Sequence, residues 1–273
     1  MSKRTPVVTE NPWRRLAACT DARIGLGRAG ISLPTRELLA FQLAHARARD
    51  AVHLSLDTDR LMAELADLNS PLLQHAPVHL ESQAGDRMTY LQRPDLGRRL
   101  SQQACDRLDE LGHTGDSPTD LALVVADGLS SHGVQLHAVP LLRTVLDDLA
   151  AAGQSWELAP IVVVSQGRVA IGDDVGQRLN ARCVVVLIGE RPGLSSPDSL
   201  GVYLTWGPKP GLTDASRNCI SNIRPAGLSA TEASQRVIYL LREARRRQVS
   251  GVALKDRSQE SVIEQGIENF LLR

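Results

Sequence analysis

The chain has 273 residues, with 42% hydrophobic and 23% charged side chains, a composition typical of a globular protein. Its 31 basic and 31 acidic side chains cancel, which argues against a dedicated nucleic-acid or anionic-membrane surface. No apolar run approaches the roughly 20 residues needed to span a bilayer. The polar start over residues 1–6 lacks the apolar segment of a secretory signal, so we expect a soluble intracellular protein.

The four cysteines lie far apart, at Cys19, Cys105, Cys183 and Cys219. None forms a CxxC pair or has a histidine at metal-ligand spacing. In a chain of this size, that pattern indicates reduced thiols in a cytosolic compartment and predicts no metal site.

The N-terminal portion is predicted to be helical. After a short basic arm and a loop at 25–30, Pro34 and Thr35 open a first helix, and Asp57 caps a second. Residues 94–112 then carry apolar side chains at helical spacing, with a proline at the first helical position.

The pattern changes after residue 118, where short apolar runs alternate with helical spacing. Buried strands are predicted over 121–126, 161–164, 184–188 and 202–206, with helices over 141–149 and 173–179. Ser229 and Glu232 form a capping box that opens another helix. Strands alternating with helices indicate a doubly wound parallel sheet and an α/β fold.

The strand over 184–188 ends abruptly at Gly189, Glu190 and Arg191, which makes this segment the strongest candidate site. Ligands of open α/β sheets bind beyond the carboxyl ends of the strands. The Glu190 carboxylate can accept hydrogen bonds there from the amides or hydroxyls of a small molecule. The alternative is an internal ion pair with Arg191.

Other candidate residues are weaker. Asp127 and Ser130 follow the first predicted strand and are suited either to a polar ligand or to an Asx turn with a helix cap. Cys219 has no neighbouring base, which favours an apolar contact over a nucleophile. Residues 25–30 match GxGxxG, but no strand precedes them, so a structural turn is favoured over a nucleotide site.

Several motifs, taken together and in order from about residue 11 to residue 252, resemble the small (light) subunit of ethanolamine ammonia-lyase. They are Cys19-Thr20, Gly27-Arg28-Ala29-Gly30, Arg93-Pro94-Asp95-Leu96-Gly97-Arg98-Arg99-Leu100, Asp127-Gly128-Leu129-Ser130, Gly167-Arg168-Val169, Gly189-Glu190-Arg191-Pro192-Gly193-Leu194, Cys219-Ile220-Ser221-Asn222-Ile223 and Ser250-Gly251-Val252.

The resemblance implies a small helical N-terminal domain, over 1–90, and a Rossmann-like parallel-sheet domain that contacts cobalamin, over 91–256. It leaves 257–273 as a C-terminal tail, whose apolar residues are suited to one amphipathic helix. Members of the family bind adenosylcobalamin between this subunit and a TIM-barrel large subunit. The enzyme converts ethanolamine to acetaldehyde and ammonia by radical migration.

The residues that the resemblance assigns to the cofactor are Val169, Glu190 and Cys219. It implies that ethanolamine binds mainly on the large subunit, so no catalytic or metal-binding residue is assigned to this chain. It also implies a cytoplasmic location, with a bacterial microcompartment as a further possibility. The alternative functions are a stand-alone nucleotide-dependent oxidoreductase and a non-enzymatic module that binds a small molecule.

Overall fold

A computed structural model describes residues 7–112 and 118–258 of the chain. Its strands are β1 (Val78–Glu81), β2 (Thr119–Ala126), β3 (Val162–Ser165), β4 (Ala181–Gly189), β5 (Leu200–Trp206) and β6 (Arg217–Ile223). Its α-helices are α1 (Thr35–His53), α2 (Thr58–Ala66), α3 (Arg87–Gln92), α4 (Gln102–Gly112), α5 (Ser131–Ala151), α6 (Ile171–Arg178) and α7 (Ala230–Arg247). Short 3-10 turns occupy Pro12–Ala18, Leu96–Arg98, Asp214–Ser216 and Gly251–Ala253.

The strands form one six-stranded sheet in the order β1-β3-β2-β4-β5-β6. The first four strands in this order are parallel, whereas β5 and β6 are antiparallel to their neighbours. The predicted α/β fold, with a mostly parallel sheet after a helical N-terminal portion, is confirmed. The strand predicted over 202–206 is present as β5, but it runs against β4 because no helix separates the two strands.

Both faces of the sheet are covered, which explains the uninterrupted apolar runs of β2 and β4. Alternate residues of β2 face opposite sides: Leu121 and Leu123 pack with α2, α5 and α7, whereas Ala122 and Val124 pack with α4 and α6. Each fully buried valine or leucine contributes roughly 1.5–3 kcal/mol relative to an exposed one. The helices on both faces leave the strand ends as the place where a ligand can reach the sheet.

Several elements differ from the sequence prediction. Strand β1 lies in the stretch predicted to be helical and joins the edge of the sheet, while β6 and α3 were not predicted. The helix predicted over 94–112 begins only at Gln102, after the turn Leu96–Arg98. Gly97 explains this break: a Cβ there would lie 3.0 Å from both Tyr90 and Arg168, so the turn packs tightly against the segment after β3.

The helix predicted for the C-terminal tail falls outside the described residues. Within the part of the chain that is described, no helix has the length and apolarity needed to cross a bilayer.

Candidate functional site

A cleft of about 1020 Å³ lies at the carboxyl ends of β2, β3 and β4. Strand ends and the segments that follow them form its floor. The opposite rim comes from the segment after α3 and from the loop before β6. The residues that line it include Gly128, Leu129, Arg168, Val169, Glu190 and Tyr203.

Glu190 follows β4 and is held on two sides. Its backbone N–H donates to the carbonyl of Ser199 (3.0 Å), and its Oε2 accepts the N–H of Asn222 (3.0 Å). Gly201 leaves room for this side chain, because a Cβ there would lie 3.0 Å from Glu190 Oε1. Among the described residues no ion pair joins Glu190 to Arg191. The carboxylate is therefore held by the backbone N–H of Asn222 and not by its basic neighbour.

Val169 lies just before α6, in the segment that follows β3. Its half-buried side chain packs against the core on the α4 and α6 face and also lines the cleft. The preceding Arg168 donates its backbone N–H to the carbonyl of Gly97 (2.7 Å) and lies 4.4 Å from the centroid of the Tyr90 ring. Val169 thus offers the cleft an apolar surface on a well-anchored segment.

Cys219 lies on β6, opposite Tyr203 of β5. Its exposed Sγ is 3.2 Å from the Ser221 Oγ. Tyr203 lines the cleft, and burial, with the neighbouring Cys219 thiol, raises the pKa of its hydroxyl. The fold therefore brings Val169 and Glu190 to one cleft and places Cys219 beside it, across Tyr203.

Asp127 and Ser130 are occupied by internal hydrogen bonds. The buried carboxylate of Asp127 accepts the N–H groups of Gln166 and Gly167, each at 2.9 Å. Burial raises the pKa of Asp127 to about 6, although these N–H groups and Arg87 oppose the shift. Ser130 caps α5 by accepting the N–H of Gly133 (3.2 Å), and its hydroxyl donates to the Pro197 carbonyl (2.7 Å). Ser130 is thus the helix cap of the second interpretation, whereas the partners of Asp127 lie 39 and 40 positions away and are not those of an Asx turn.

Sequence reasoning missed a buried ion pair at the cleft. Arg217 of β6 donates to both carboxylate oxygens of Asp173 in α6, at 2.7 Å each, and both side chains are almost fully buried. The two residues lie 44 positions apart, so no local pattern could have revealed the pair. The exposed arginines of the rim, Arg98 and Arg99, belong to the quoted 93–100 motif but were not assigned to the site.

The glycine motif at 25–30 forms a turn within the segment before α1, residues 7–34, which we call the N-terminal arm. Gly25 and Gly27 have left-handed backbones, with φ of 61° and 75°. A Cβ at Gly25 would overlap the backbone of Arg14, so the glycine allows two segments of the arm to touch. The favoured interpretation, a structural turn, agrees with this geometry.

Comparison with known proteins gives consistent results over nearly the whole chain. The family model for the ethanolamine ammonia-lyase light chain matches residues 10–255. The ethanolamine ammonia-lyase small subunit of Ralstonia nicotianae is 55% identical over 265 residues, which cover 97% of this chain and 96% of the relative. The small subunit of Azotobacter vinelandii is 54% identical over 277 residues, covering 100% and 99%. That of Pseudomonas fluorescens is 53% identical over 275 residues, covering 99% and 98%.

The matched region includes the arm from residue 10 onward, the entire sheet, and Val169, Glu190 and Cys219. Identity above 50% over nearly full length is far more specific than any single motif. The chain belongs to the ethanolamine ammonia-lyase light-chain family.

Proposed function

We propose that the chain is the small subunit of an adenosylcobalamin-dependent ethanolamine ammonia-lyase and holds the cofactor at its interface with a large subunit. The enzyme would convert ethanolamine to acetaldehyde and ammonia. The observation that carries the proposal is the convergence of Val169 and Glu190 on one large cleft in a chain of this family.

The residues of the cleft fit such a cofactor. Its volume of about 1020 Å³ is just above the roughly 300–1,000 Å³ common for small-molecule sites, which suits a ligand as large as a corrin. Glu190 Oε2 accepts the N–H of Asn222, whereas no donor among the described residues forms a hydrogen bond with Oε1. Oε1 can therefore accept a hydrogen bond from an amide on the corrin rim. Val169 and the exposed Cys219 supply apolar contact beside it.

When bound, adenosylcobalamin supplies radical chemistry by homolysis of its cobalt–carbon bond, while the protein provides position and electrostatics. Glu190 orients the ring through its amides, and Val169 excludes water from the adjoining face. We assign ethanolamine and the groups that bind it to the large subunit, and no catalytic residue to this chain.

The N-terminal arm and α1 offer a surface for that partner. Most of the large apolar side chains that are exposed in the described residues lie here: Val7, Val8, Trp13, Leu16, Ile31, Leu33, Leu38, Leu39, Phe41, Leu43 and Leu54. Contiguous exposed apolar surface is typical of a protein interface. The name small subunit, which the relatives carry, implies a larger partner, and we assign this surface to it.

The alternatives have less support. A nucleotide-dependent oxidoreductase would use the GxGxxG motif after a strand, yet residues 25–30 form a turn of the arm. A non-enzymatic binding module would not require the family's large subunit. The cytoplasmic location, and packaging in a microcompartment, stay predictions.

Reconstitution tests the proposal. The purified chain alone should show no deamination of ethanolamine, whereas the chain mixed with its large subunit and adenosylcobalamin should produce acetaldehyde. An assay coupled to alcohol dehydrogenase measures the product, and omission of each component in turn is the control. Turnover by the isolated chain would overturn the assignment of ethanolamine to the partner.

A further inference from the structure

Two consecutive backbone N–H groups converge on one buried carboxylate beneath the cleft. The N–H of Gln166 donates to Asp127 Oδ2 and that of Gly167 to Oδ1, both at 2.9 Å. Gln166 has a left-handed backbone, with φ of 57°, which a residue with a long side chain rarely adopts. Such a conformation persists only where the surroundings over-determine it. Here Asp127 accepts the N–H of Gln166 and that of the next residue, and Arg87 donates to the Gln166 side-chain oxygen (3.4 Å).

The held segment leads directly to the cofactor cleft. Val169 follows Gly167 by two residues, and Arg168 between them is anchored on the Gly97 carbonyl and on Tyr90. Asp127 itself does not line the cleft, so it cannot serve as a ligand there. Its effect on a bound molecule must pass through the backbone of this segment.

We propose that Asp127 is a positioning residue of the cofactor cleft, whose ionised carboxylate holds residues 166–168 in the conformation that presents Val169 to cobalamin. The proposal rests on the proposed function and adds a residue that acts through the segment. Successive N–H groups that point into one concavity form a site for an anion. A carboxylate satisfies both donors. An amide sets its own donor against one of them, and protonation removes the charge that strengthens both bonds.

The charge of Asp127 should therefore control the affinity for the cofactor. The ionisable groups that act on it are Arg87, 3.5 Å away, and Tyr90, both of α3, and Arg168 lies over the ring of Tyr90. Arginine stays cationic at neutral and mildly acidic pH, and burial raises the pKa of Tyr90 to about 12. Asp127, with its pKa raised to about 6, is the member of this group that changes charge between pH 5 and pH 7.

Ionisation of Asp127 works against the stability of the fold. Because its pKa is raised in the folded chain, its favourable contribution is complete below the ordinary value of 3.8 and is lost as the pH rises through about 6. A neutral group would avoid this loss at neutral pH. The buried charge is thus better explained by the segment that it holds than by stability.

The experiment measures cobalamin affinity from pH 5 to pH 8 by absorbance titration of the complex with the large subunit. The affinity of the wild type should fall about tenfold from pH 7 to pH 5, with a midpoint near 6, as expected when hydrogen bonds to a charge are lost. Asp127→Asn should bind about tenfold more weakly at pH 7 and lack this midpoint. Glu190→Gln should keep the midpoint.

Asp120→Asn is the matched control, because Asp120 is a buried carboxylate on β2 that accepts the Glu157 N–H at the opposite end of the sheet. It should leave cobalamin affinity unchanged. A second measurement needs no cofactor: hydrogen exchange of the 162–170 segment in the full chain should be faster in Asp127→Asn.

Unchanged exchange in Asp127→Asn, or faster exchange with unchanged cobalamin affinity and midpoint, overturns the proposal. If the wild-type complex binds no cobalamin at any pH, the proposed function fails, and the exchange measurement alone decides whether Asp127 holds the segment. If Asp127→Asn does not fold, the wild-type midpoint, compared with that of Glu190→Gln, still decides the question.

Discussion

The Glu190 side chain is held by a backbone contact and still lines the cleft. Its position after β4 is set by the end of the strand, and the Asn222 N–H occupies one of its two oxygens. The other oxygen lies against Gly201, at the wall of the cleft. A charged acceptor in this position strengthens hydrogen bonds to neutral amides.

Glu190→Gln keeps the shape of the side chain but replaces the charged acceptor with a neutral amide. A hydrogen bond to a charged group contributes roughly 1.5–3 kcal/mol, so the affinity of the complex for adenosylcobalamin should fall by about one to two orders of magnitude. Turnover at saturating cofactor should change far less. Spectroscopic titration and steady-state kinetics measure the two quantities. Glu157→Gln, at the other end of the sheet, is the control and should bind normally.

Collapsed turnover with unchanged cofactor affinity would make Glu190 a catalytic residue and contradict this assignment. No change in either quantity would leave Glu190 with a structural role alone.

At the scale of elements, the Arg217–Asp173 pair fastens β6 to α6 across the cleft. Arg217 also donates to the Thr205 hydroxyl (3.2 Å) and the Leu212 carbonyl (3.1 Å), so it joins β5, β6 and the loop between them. The buried charge of Arg217 is tolerated because it is paired with Asp173 and both of its Nη atoms donate hydrogen bonds; its Nε lies 3.6 Å from Asp214 Oδ1 without a hydrogen bond. The pair therefore ties the edge strand β6 to a helix that packs on the parallel part of the sheet.

Arg217→Met should lower the free energy of unfolding by about 3–5 kcal/mol, because it leaves Asp173 buried without its partner. The double variant Arg217→Met with Asp173→Leu should recover most of that loss, since a buried ion pair can often be replaced by apolar groups. Urea unfolding monitored by circular dichroism gives both values. Arg246→Ala removes an exposed pair with Glu243 and should leave stability essentially unchanged. A loss in the double variant as large as in Arg217→Met would refute this explanation.

At the scale of the whole molecule, apolar surface is distributed unevenly. The buried residues of the two core clusters begin at Leu61, so the arm and α1 contribute none of them. The arm instead contacts the segment after β4, where Arg23 donates to the Leu194 carbonyl (3.4 Å) and Ser195 to that of Asp21 (3.3 Å). The arm thus adds no residue to the core clusters, and its large apolar side chains stay exposed.

Deletion of residues 1–32 should weaken assembly with the large subunit while leaving the sheet folded. The deletion removes exposed side chains such as Trp13 and Ile31 but no residue of the core clusters. Pull-down with the large subunit and circular dichroism are the measurements. Val252→Ser, which changes an exposed apolar residue outside the arm, should assemble normally. An intact complex after the deletion, or a globally unfolded chain, would refute the idea.

The sequence by itself determined the elements whose side chains are buried on one face or on both faces. The apolar runs of β2 and β4 and the capping box of α7 are local patterns, and each is present in the structure. The site around Glu190 could be predicted because residues that follow the carboxyl end of a strand lie at the edge of the sheet where ligands bind. The family, too, could be recognised from the order of its motifs.

Only the tertiary structure decided the edges of the sheet and the contacts of the site. Strand β1 is short and β6 is largely polar, so neither carries the apolar run that marks an interior strand. The direction of β5 depends on the connection from β4, and the neighbours of Cys219 depend on the register of β5 with β6. The hydrogen bonds of Asp127 exist only because folding brings the end of β2 and the segment after β3 together. These contacts join residues that are far apart in the chain, which a local pattern does not encode.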